Sequence, residues 1–189
     1  VVANAGIIEP PAAANDTTAD GFETVVAVNH LSHALLIELL LPALNAAPAP
    51  RVCVVSSVAA ELHSPSASVT DDFRYVVVTK NALGFPAYSR SKLVNYLHAR
   101  YMAQRHPRIH FSSNHPGAVA TAMPTSGYAS LSAAGWRPGA LLSELSRATV
   151  AALWRPVDDA ALLYVYAALA DVADLPSGSF FLSTSGAQP

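Results

Sequence analysis

The run Arg51-Val52-Cys53-Val54-Val55-Ser56-Ser57 (RVCVVSS, residues 51–57) has the composition of a buried central strand, because β-branched residues follow one another and hydroxyl residues close the run. Two further runs have the same character, Val1-Val2-Ala3 and Ile109–Asn114 (IHFSSN). Apolar positions recur at helical spacing between them, from Gly21 to Pro42 and from Tyr88 to Gln104. Alternating strands and helices predict an α/β fold, a parallel sheet with covering helices.

The rest of the chain is less regular. Helices are predicted near Leu141–Leu153 and Val157–Ala170, after a segment interrupted by Pro and Gly. Residues 63–86 form an irregular excursion, in which Tyr75–Val78 is either an extra strand or a packed loop. Since neither an internal repeat nor a linker divides the chain, the sequence predicts a single domain over residues 1–189.

Composition excludes several classes of protein. With 189 residues, 52% hydrophobic, the chain is long and apolar enough for a core, and a formal net charge of −2 argues against a nucleic-acid partner. The single cysteine, Cys53, excludes an internal disulfide and predicts a reducing, cytoplasmic location. No apolar run reaches the roughly 18 to 20 residues of a bilayer span. We therefore expect no transmembrane segment and no signal peptide, and Leu31–Leu44 and Ala160–Ala170 as buried helices.

The strongest local signal is Tyr88-Ser89-Arg90-Ser91-Lys92, whose spacing brings a phenol and an ammonium group onto one helix face. An ammonium about 5 Å away favours phenolate by roughly 3 kcal/mol at an effective dielectric of about 20, which lowers the pKa of Tyr88 by about two units. Tyr88 could then exchange protons with an alcohol near neutral pH. A surface Tyr and Lys pair remains the ordinary alternative, although the chain has only two lysines.

Two more polar features accompany this pair. Ser56 and Ser57 close a predicted strand at the carboxyl edge of the sheet, where open α/β folds bind ligands, although a strand-terminating turn explains them equally well. Asn29 lies within an otherwise apolar helix, where a buried amide needs hydrogen-bond partners; the alternative is an amide satisfied within the core.

Five motifs occur in the order and approximate spacing of the short-chain dehydrogenase/reductases, and the chain resembles that family. They are Asn4-Ala5-Gly6, Asn29 within Val28-Asn29-His30-Leu31, Ser57, Tyr88-x-x-x-Lys92 and Pro116-Gly117-Ala118-Val119-Ala120-Thr121. The ending, from Ala160 to Phe181, and the long interval between Ser57 and Tyr88 resemble the retinol-dehydrogenase-like branch. The resemblance implies a doubly wound, Rossmann-like parallel sheet.

The resemblance also implies hydride transfer between a nicotinamide cofactor, NADP or NAD with NADP favoured, and an alcohol or carbonyl compound. Tyr88 would be the general acid/base, and Lys92 would lower its pKa and hold the ribose hydroxyls of the nicotinamide. Ser57 would hydrogen-bond the substrate carbonyl, and Asn29 would keep a water in place for proton relay to Lys92. Two segments would bind the cofactor: Asn4, Ala5 and Gly6 at the floor of its site, and Pro116, Gly117, Val119 and Thr121 against the nicotinamide.

The chain departs from the family's pattern at one point. The family begins with a strand, a glycine-rich turn and a helix that bind the cofactor diphosphate, whereas this sequence contains no Gly-x-Gly. We therefore expect a partial sheet without the first β/α units, and an exposed first strand that another subunit could cover in a homo-oligomer. Two functions stay open: an oxidoreductase, or a truncated, non-catalytic remnant or interaction module that does not bind the dinucleotide.

Apolar residues after Thr121 suggest a hydrophobic alcohol or carbonyl substrate, with ordinary helix packing as the alternative. They are Met123, Tyr128, Leu131, Trp136, Leu141 and Leu142. His30 and His33 lie one helical turn apart, but the sequence has no His-Glu-x-x-His, so we interpret them as packing residues and expect no metal site.

Overall fold

A computed structural model describes residues 1–8, 17–62, 85–121, 141, 144–145, 148–149 and 154–182. Its strands are β1 (Val2–Ala3), β2 (Arg51–Val55), β3 (His110–His115) and β4 (Phe180–Leu182). Its α-helices are α1 (Thr24–Val26), α2 (Ser32–Ala46), α3 (Phe85–Arg105) and α4 (Val157–Leu169). A π-helical turn, Ala27–Leu31, joins α1 to α2, and a 3-10 turn, Val58–Leu62, follows β2. The predicted strand at Tyr75–Val78 and most of the predicted helix at 141–153 lie outside the described residues.

The four strands form one parallel sheet in the order β1-β2-β3-β4, which confirms the predicted α/β fold. Val2 pairs with Cys53, and Val52 pairs with Phe111 in the centre of the sheet. Sequence analysis did not predict β4, because its three residues are too short to show a strand pattern. All four strands run in the same direction, so their carboxyl ends meet at one edge.

Helices cover both faces of the sheet. On one face, α2 and α3 pack against β2 and β3 in a cluster of buried side chains: Ala3, Ile37, Leu44, Val52, Val54, Ala99, Met102, Ile109 and Phe111. On the other face, Ala167 of α4 packs against Cys53 and Leu175. This three-layer arrangement is the usual way for a parallel sheet to keep both faces out of water.

The expectation that the helices at Leu31–Leu44 and Ala160–Ala170 are buried is wrong. Leu35 and Leu39 of α2 are 61% and 70% exposed, and Leu162 and Leu169 of α4 are also exposed. Each helix contacts the sheet with one face, and no layer of the described residues covers the opposite face.

The helical stretch Thr24–Ala46 is long and apolar enough to cross a membrane by length and composition alone. Core helices of globular proteins meet the same criterion, and this stretch places Ile37 and Leu44 in the core beside the sheet. Its apolar composition is therefore accounted for in part by packing.

Phe111 provides a test of the core, because its side chain is fully buried on β3, an inner strand of the sheet. We expect Phe111→Ala to lower the free energy of unfolding by about 3–5 kcal/mol, since it removes buried surface and leaves a cavity. Leu39→Ala, on the exposed face of α2, is the control and should change it by no more than about 0.5 kcal/mol. Denaturant unfolding measures both, and equal losses for the two variants would contradict this core.

Candidate active site

Three strand ends bring polar residues together at the carboxyl edge of the sheet. Residues 4–8 follow β1, Ser56 and Ser57 follow β2, and residues 116–121 follow β3. Helix α3 carries Tyr88 and Lys92 in its first turns. Because ligands of open α/β sheets bind at this edge, the arrangement is typical of a substrate or cofactor site.

The side chains of Ser57 and Tyr88 are hydrogen-bonded to each other, so the structure places the two predicted hydroxyl groups side by side. The Ser57 oxygen also accepts a hydrogen bond of 3.1 Å from the backbone N–H of Ala59, in the 3-10 turn that follows. That bond fixes the serine rotamer. Two hydroxyls from different elements therefore converge on one point, where a carbonyl oxygen could contact both.

Lys92 is held against the end of β2. Its side chain is only 3% exposed, and Nζ donates a hydrogen bond of 3.0 Å to the backbone carbonyl of Val55. The same ammonium lies 5.4 Å from the centre of the Tyr88 ring, within the range of a cation–π contact. Burial lowers the pKa of Lys92 to about 8, because the charged form is deprived of water.

The predicted direction of the Tyr88 pKa shift is wrong in this structure. Burial raises the pKa of the Tyr88 phenol above its ordinary value, and the hydrogen bond from Ser57 offsets only part of that rise. The physical reason is desolvation, which penalises the phenolate. The Lys92 ammonium contacts the ring face and the Val55 carbonyl rather than the phenol oxygen's own hydrogen-bond partner, which is Ser57. Tyr88 therefore holds its proton at neutral pH.

Asn29 lies in the π-helical turn and ties two elements together. Its Oδ1 accepts a hydrogen bond of 2.7 Å from the backbone N–H of Ile7, and its Nδ2 donates to the Ile7 carbonyl at 3.0 Å. Nδ2 also donates to Ser91 Oγ at 3.0 Å, and Ser91 in turn donates to the Tyr88 carbonyl. Asn29 is thus both an amide satisfied within the core and a link between the segment after β1 and the Tyr88 helix.

The segment after β1 leaves room beside Lys92. A Cβ atom added to Gly6 would lie 3.3 Å from Asn29 Oδ1 and 3.5 Å from Lys92 Nζ, so a larger residue would fill this space. Asn4 and Ala5 are exposed, and Asn4 Oδ1 accepts a hydrogen bond of 2.9 Å from the Tyr164 hydroxyl of α4. No local sequence pattern indicates that contact, which joins residues far apart along the chain.

The segment after β3 turns at Gly117, whose φ of +89° favours glycine. Backbone hydrogen bonds then join Ala118 and Ala120 to Arg155, and Thr121 is exposed at the end of the described segment. Of the residues predicted to line the substrate site, only Leu141 lies within the described residues, and it is exposed. Met123, Tyr128, Leu131, Trp136 and Leu142 lie outside them.

These features fit the nicotinamide end of a dinucleotide. A buried ammonium can contact ribose hydroxyls, Gly6 permits close approach, and the Gly117 turn presents backbone groups at the same edge. Sequence reasoning missed Asn95, which is fully buried one helical turn after Lys92. Its position on the face of α3 that carries Tyr88 and Lys92 is the signal that could have identified it.

Comparisons with known proteins agree with this geometry. The short chain dehydrogenase family matches residues 1–69. Human retinol dehydrogenase 12 is 42% identical over 106 residues, which are 56% of this chain and 30% of that protein. The chain spans about a third of the length of the curated relatives it matches.

Solved structures share the fold. A putative short chain dehydrogenase from Escherichia coli CFT073, complexed with NADPH, has a TM-score of 0.57 and 18% identity over 96% of this chain and 61% of that one. A 4-hydroxyisoleucine dehydrogenase complexed with NADH has a TM-score of 0.60 and 22% identity over 98% of this chain and 66% of that one. The motifs, the parallel sheet and these relatives together support a member of the short-chain dehydrogenase/reductase family that is similar to its retinol-dehydrogenase-like branch.

Proposed function

We propose that this chain is the catalytic part of a nicotinamide-dependent oxidoreductase that interconverts a hydrophobic alcohol and its carbonyl compound, with Tyr88 as the general acid/base. The observation that carries the proposal is the hydrogen-bonded pair of Ser57 and Tyr88 hydroxyls beside the buried Lys92 ammonium. The name of the related retinol dehydrogenase states an apolar alcohol, which supports this class of substrate.

The substrate oxygen contacts both hydroxyls in the proposed reaction. Ser57 donates a hydrogen bond that stabilises the negative charge developing on the oxygen, and Tyr88 donates the proton that completes the alcohol. The nicotinamide cofactor supplies or accepts the hydride. Burial raises the pKa of Tyr88, so the phenol carries at neutral pH the proton that carbonyl reduction needs.

Lys92 supports the proton transfer. When Tyr88 gives up its proton, the nearby ammonium stabilises the phenolate left behind, and a lysine with a pKa of about 8 can return a proton near neutral pH. Asn29 holds the segment after β1 against α3, so that the Gly6 backbone stays beside the ammonium. These residues, rather than the cofactor, determine where the proton comes from.

The proposed cofactor is NADP or NAD. Lys92 would contact the ribose hydroxyls, with Asn4, Ala5 and Gly6 beneath it and Pro116, Gly117, Val119 and Thr121 against the nicotinamide. Solved relatives hold NADPH in one case and NADH in another, so the fold accepts both. Burying an ammonium has a free-energy cost that a purely structural module does not require, and this disfavours the non-catalytic alternative.

Tyr88→Phe tests the acid/base role in the complete protein. We expect kcat for carbonyl reduction to fall by about 10²-fold to 10⁴-fold, because the phenol proton is lost while the ring and its packing remain. Dinucleotide binding, measured by fluorescence titration, should persist. The matched control is Tyr101→Phe, on an exposed part of the same helix, which should retain wild-type kcat. Unreduced turnover in Tyr88→Phe would exclude Tyr88 as the proton donor.

The pH dependence of kcat tests Lys92. Its ammonium form predominates below a pKa of about 8, so we expect carbonyl reduction to slow as pH rises through that value. In Lys92→Arg the guanidinium stays charged across this range, and the decrease near that pH should disappear even if kcat is lower. A decrease that persists unchanged in Lys92→Arg would assign it to another group.

A further inference from the structure

Asn95 connects two backbone carbonyls that belong to different elements. Its side chain is fully buried on α3, and Nδ2 donates to the carbonyl of Asn29 at 2.9 Å and to that of Val55 at 3.2 Å. The first carbonyl lies in the π-helical turn and the second ends β2. A single amide group therefore links the turn that carries Asn29 to the strand end that holds Lys92.

The Val55 carbonyl is shared. It accepts from Lys92 Nζ at 3.0 Å as well as from Asn95 Nδ2 at 3.2 Å, so both of its lone pairs have donors. The direction of this carbonyl sets where the ammonium lies relative to the Tyr88 ring. Asn95, through its second donor to the same carbonyl, helps to hold that direction.

His30 fixes the orientation of the Asn95 amide. His30 Nδ1 lies 3.0 Å from Asn95 Oδ1, and the His30 ring packs edge-to-face against His98 at 5.4 Å between centroids. Since an amide oxygen can only accept, Nδ1 must carry the hydrogen of this bond. Burial lowers the pKa of His30 to about 4, so the ring is neutral near pH 7. The amide nitrogen is thereby directed toward the two carbonyls.

We propose that Asn95 is a positioning residue of the site, which fixes the distance between the Asn29 side chain and the Lys92 ammonium by bridging the carbonyls of Asn29 and Val55. Its effect on turnover rests on the proposed function, whereas its effect on geometry does not. If Asn95 had only a structural role, its loss would destabilise the whole fold. A positioning role predicts that its loss changes the surroundings of the Ile7 amide and the Lys92 ammonium and leaves the rest of the fold intact.

Hydrogen exchange of the complete protein tests the geometry without an activity assay. The Ile7 N–H donates to Asn29 Oδ1, so its exchange rate reports whether the Asn29 side chain stays in place. In Asn95→Leu we expect this amide to exchange at least about tenfold faster. The Ser113 amide, bonded to Ser179 in the sheet, is the internal reference and should change by less than about twofold.

Two further variants keep the measurement decisive. Asn45→Leu, at an exposed asparagine of α2 whose side chain bonds the carbonyl of Leu41, should leave Ile7 exchange unchanged. Asn95→Ser keeps one donor in a smaller side chain and should also accelerate Ile7 exchange, by less than Asn95→Leu does. If the leucine variant does not fold, the serine variant alone provides the test. Equal acceleration of Ile7 and Ser113, or no acceleration of Ile7, would overturn the proposal.

Kinetics separate this proposal from the proposed function. In Asn95→Leu, kcat for carbonyl reduction should fall by at least about tenfold while the KM for the dinucleotide changes less than about threefold. If the wild-type protein transfers no hydride but Ile7 exchange responds as stated, the proposed function fails and the positioning role stands. If the wild-type protein is active and Asn95→Leu retains its kcat, the positioning role is wrong.

Discussion

The hydrogen bond from Lys92 Nζ to the Val55 carbonyl is the interaction on which the site depends. An ammonium excluded from water loses several kcal/mol of hydration, and a backbone carbonyl at 3.0 Å returns part of it. Because Val55 is the last residue of β2, the register of the sheet fixes the position of the charge. The site is therefore a property of the sheet as much as of the helix that carries the lysine, and a shift of β2 would displace Lys92 from Tyr88.

Burial acts on both members of the Tyr88 and Lys92 pair in the same sense, toward the neutral form. It raises the pKa of the phenol and lowers the pKa of the amine to about 8. A phenol that keeps its proton is suited to donating it to a carbonyl oxygen, and an amine that titrates near neutral pH is suited to replacing that proton. In the proposed reaction, desolvation thus keeps on Tyr88 the proton that reduction needs, and a cationic group bound nearby would favour the phenolate.

Sequence patterns predicted the elements whose periodicity is local, and failed where long-range contacts decide. The β-branched run 51–55 and the helix around Tyr88 were predicted because each shows its pattern within a few residues. The shift of the Tyr88 pKa was predicted in the wrong direction, because the motif shows how far apart Tyr88 and Lys92 are along the helix but does not show that burial excludes water from the phenol. The exposed face of α2 was missed for a related reason. The leucine content of a helix does not show which of its faces has a packing partner. The π-helical turn has no periodicity of its own in the sequence; its backbone hydrogen bonding, with the Ser32 N–H bonded to the Ala27 carbonyl, defines it.

Asn29 shows how a satisfied core amide can also belong to a site. Both hydrogens of Nδ2 have partners in Ile7 and Ser91, and Oδ1 accepts from Ile7. The backbone carbonyl of Asn29 accepts from Asn95 Nδ2 at 2.9 Å and from His33 Nδ1 at 3.1 Å. In the proposed relay, a water would bind Asn29 at the second lone pair of Oδ1, and a Cβ atom at Gly6 would lie only 3.3 Å from that oxygen. The hydrogen bonds around Asn29 therefore leave one acceptor position on Oδ1 for the proposed relay, and Gly6, which the sequence suggested only for cofactor approach, adds no side chain beside it.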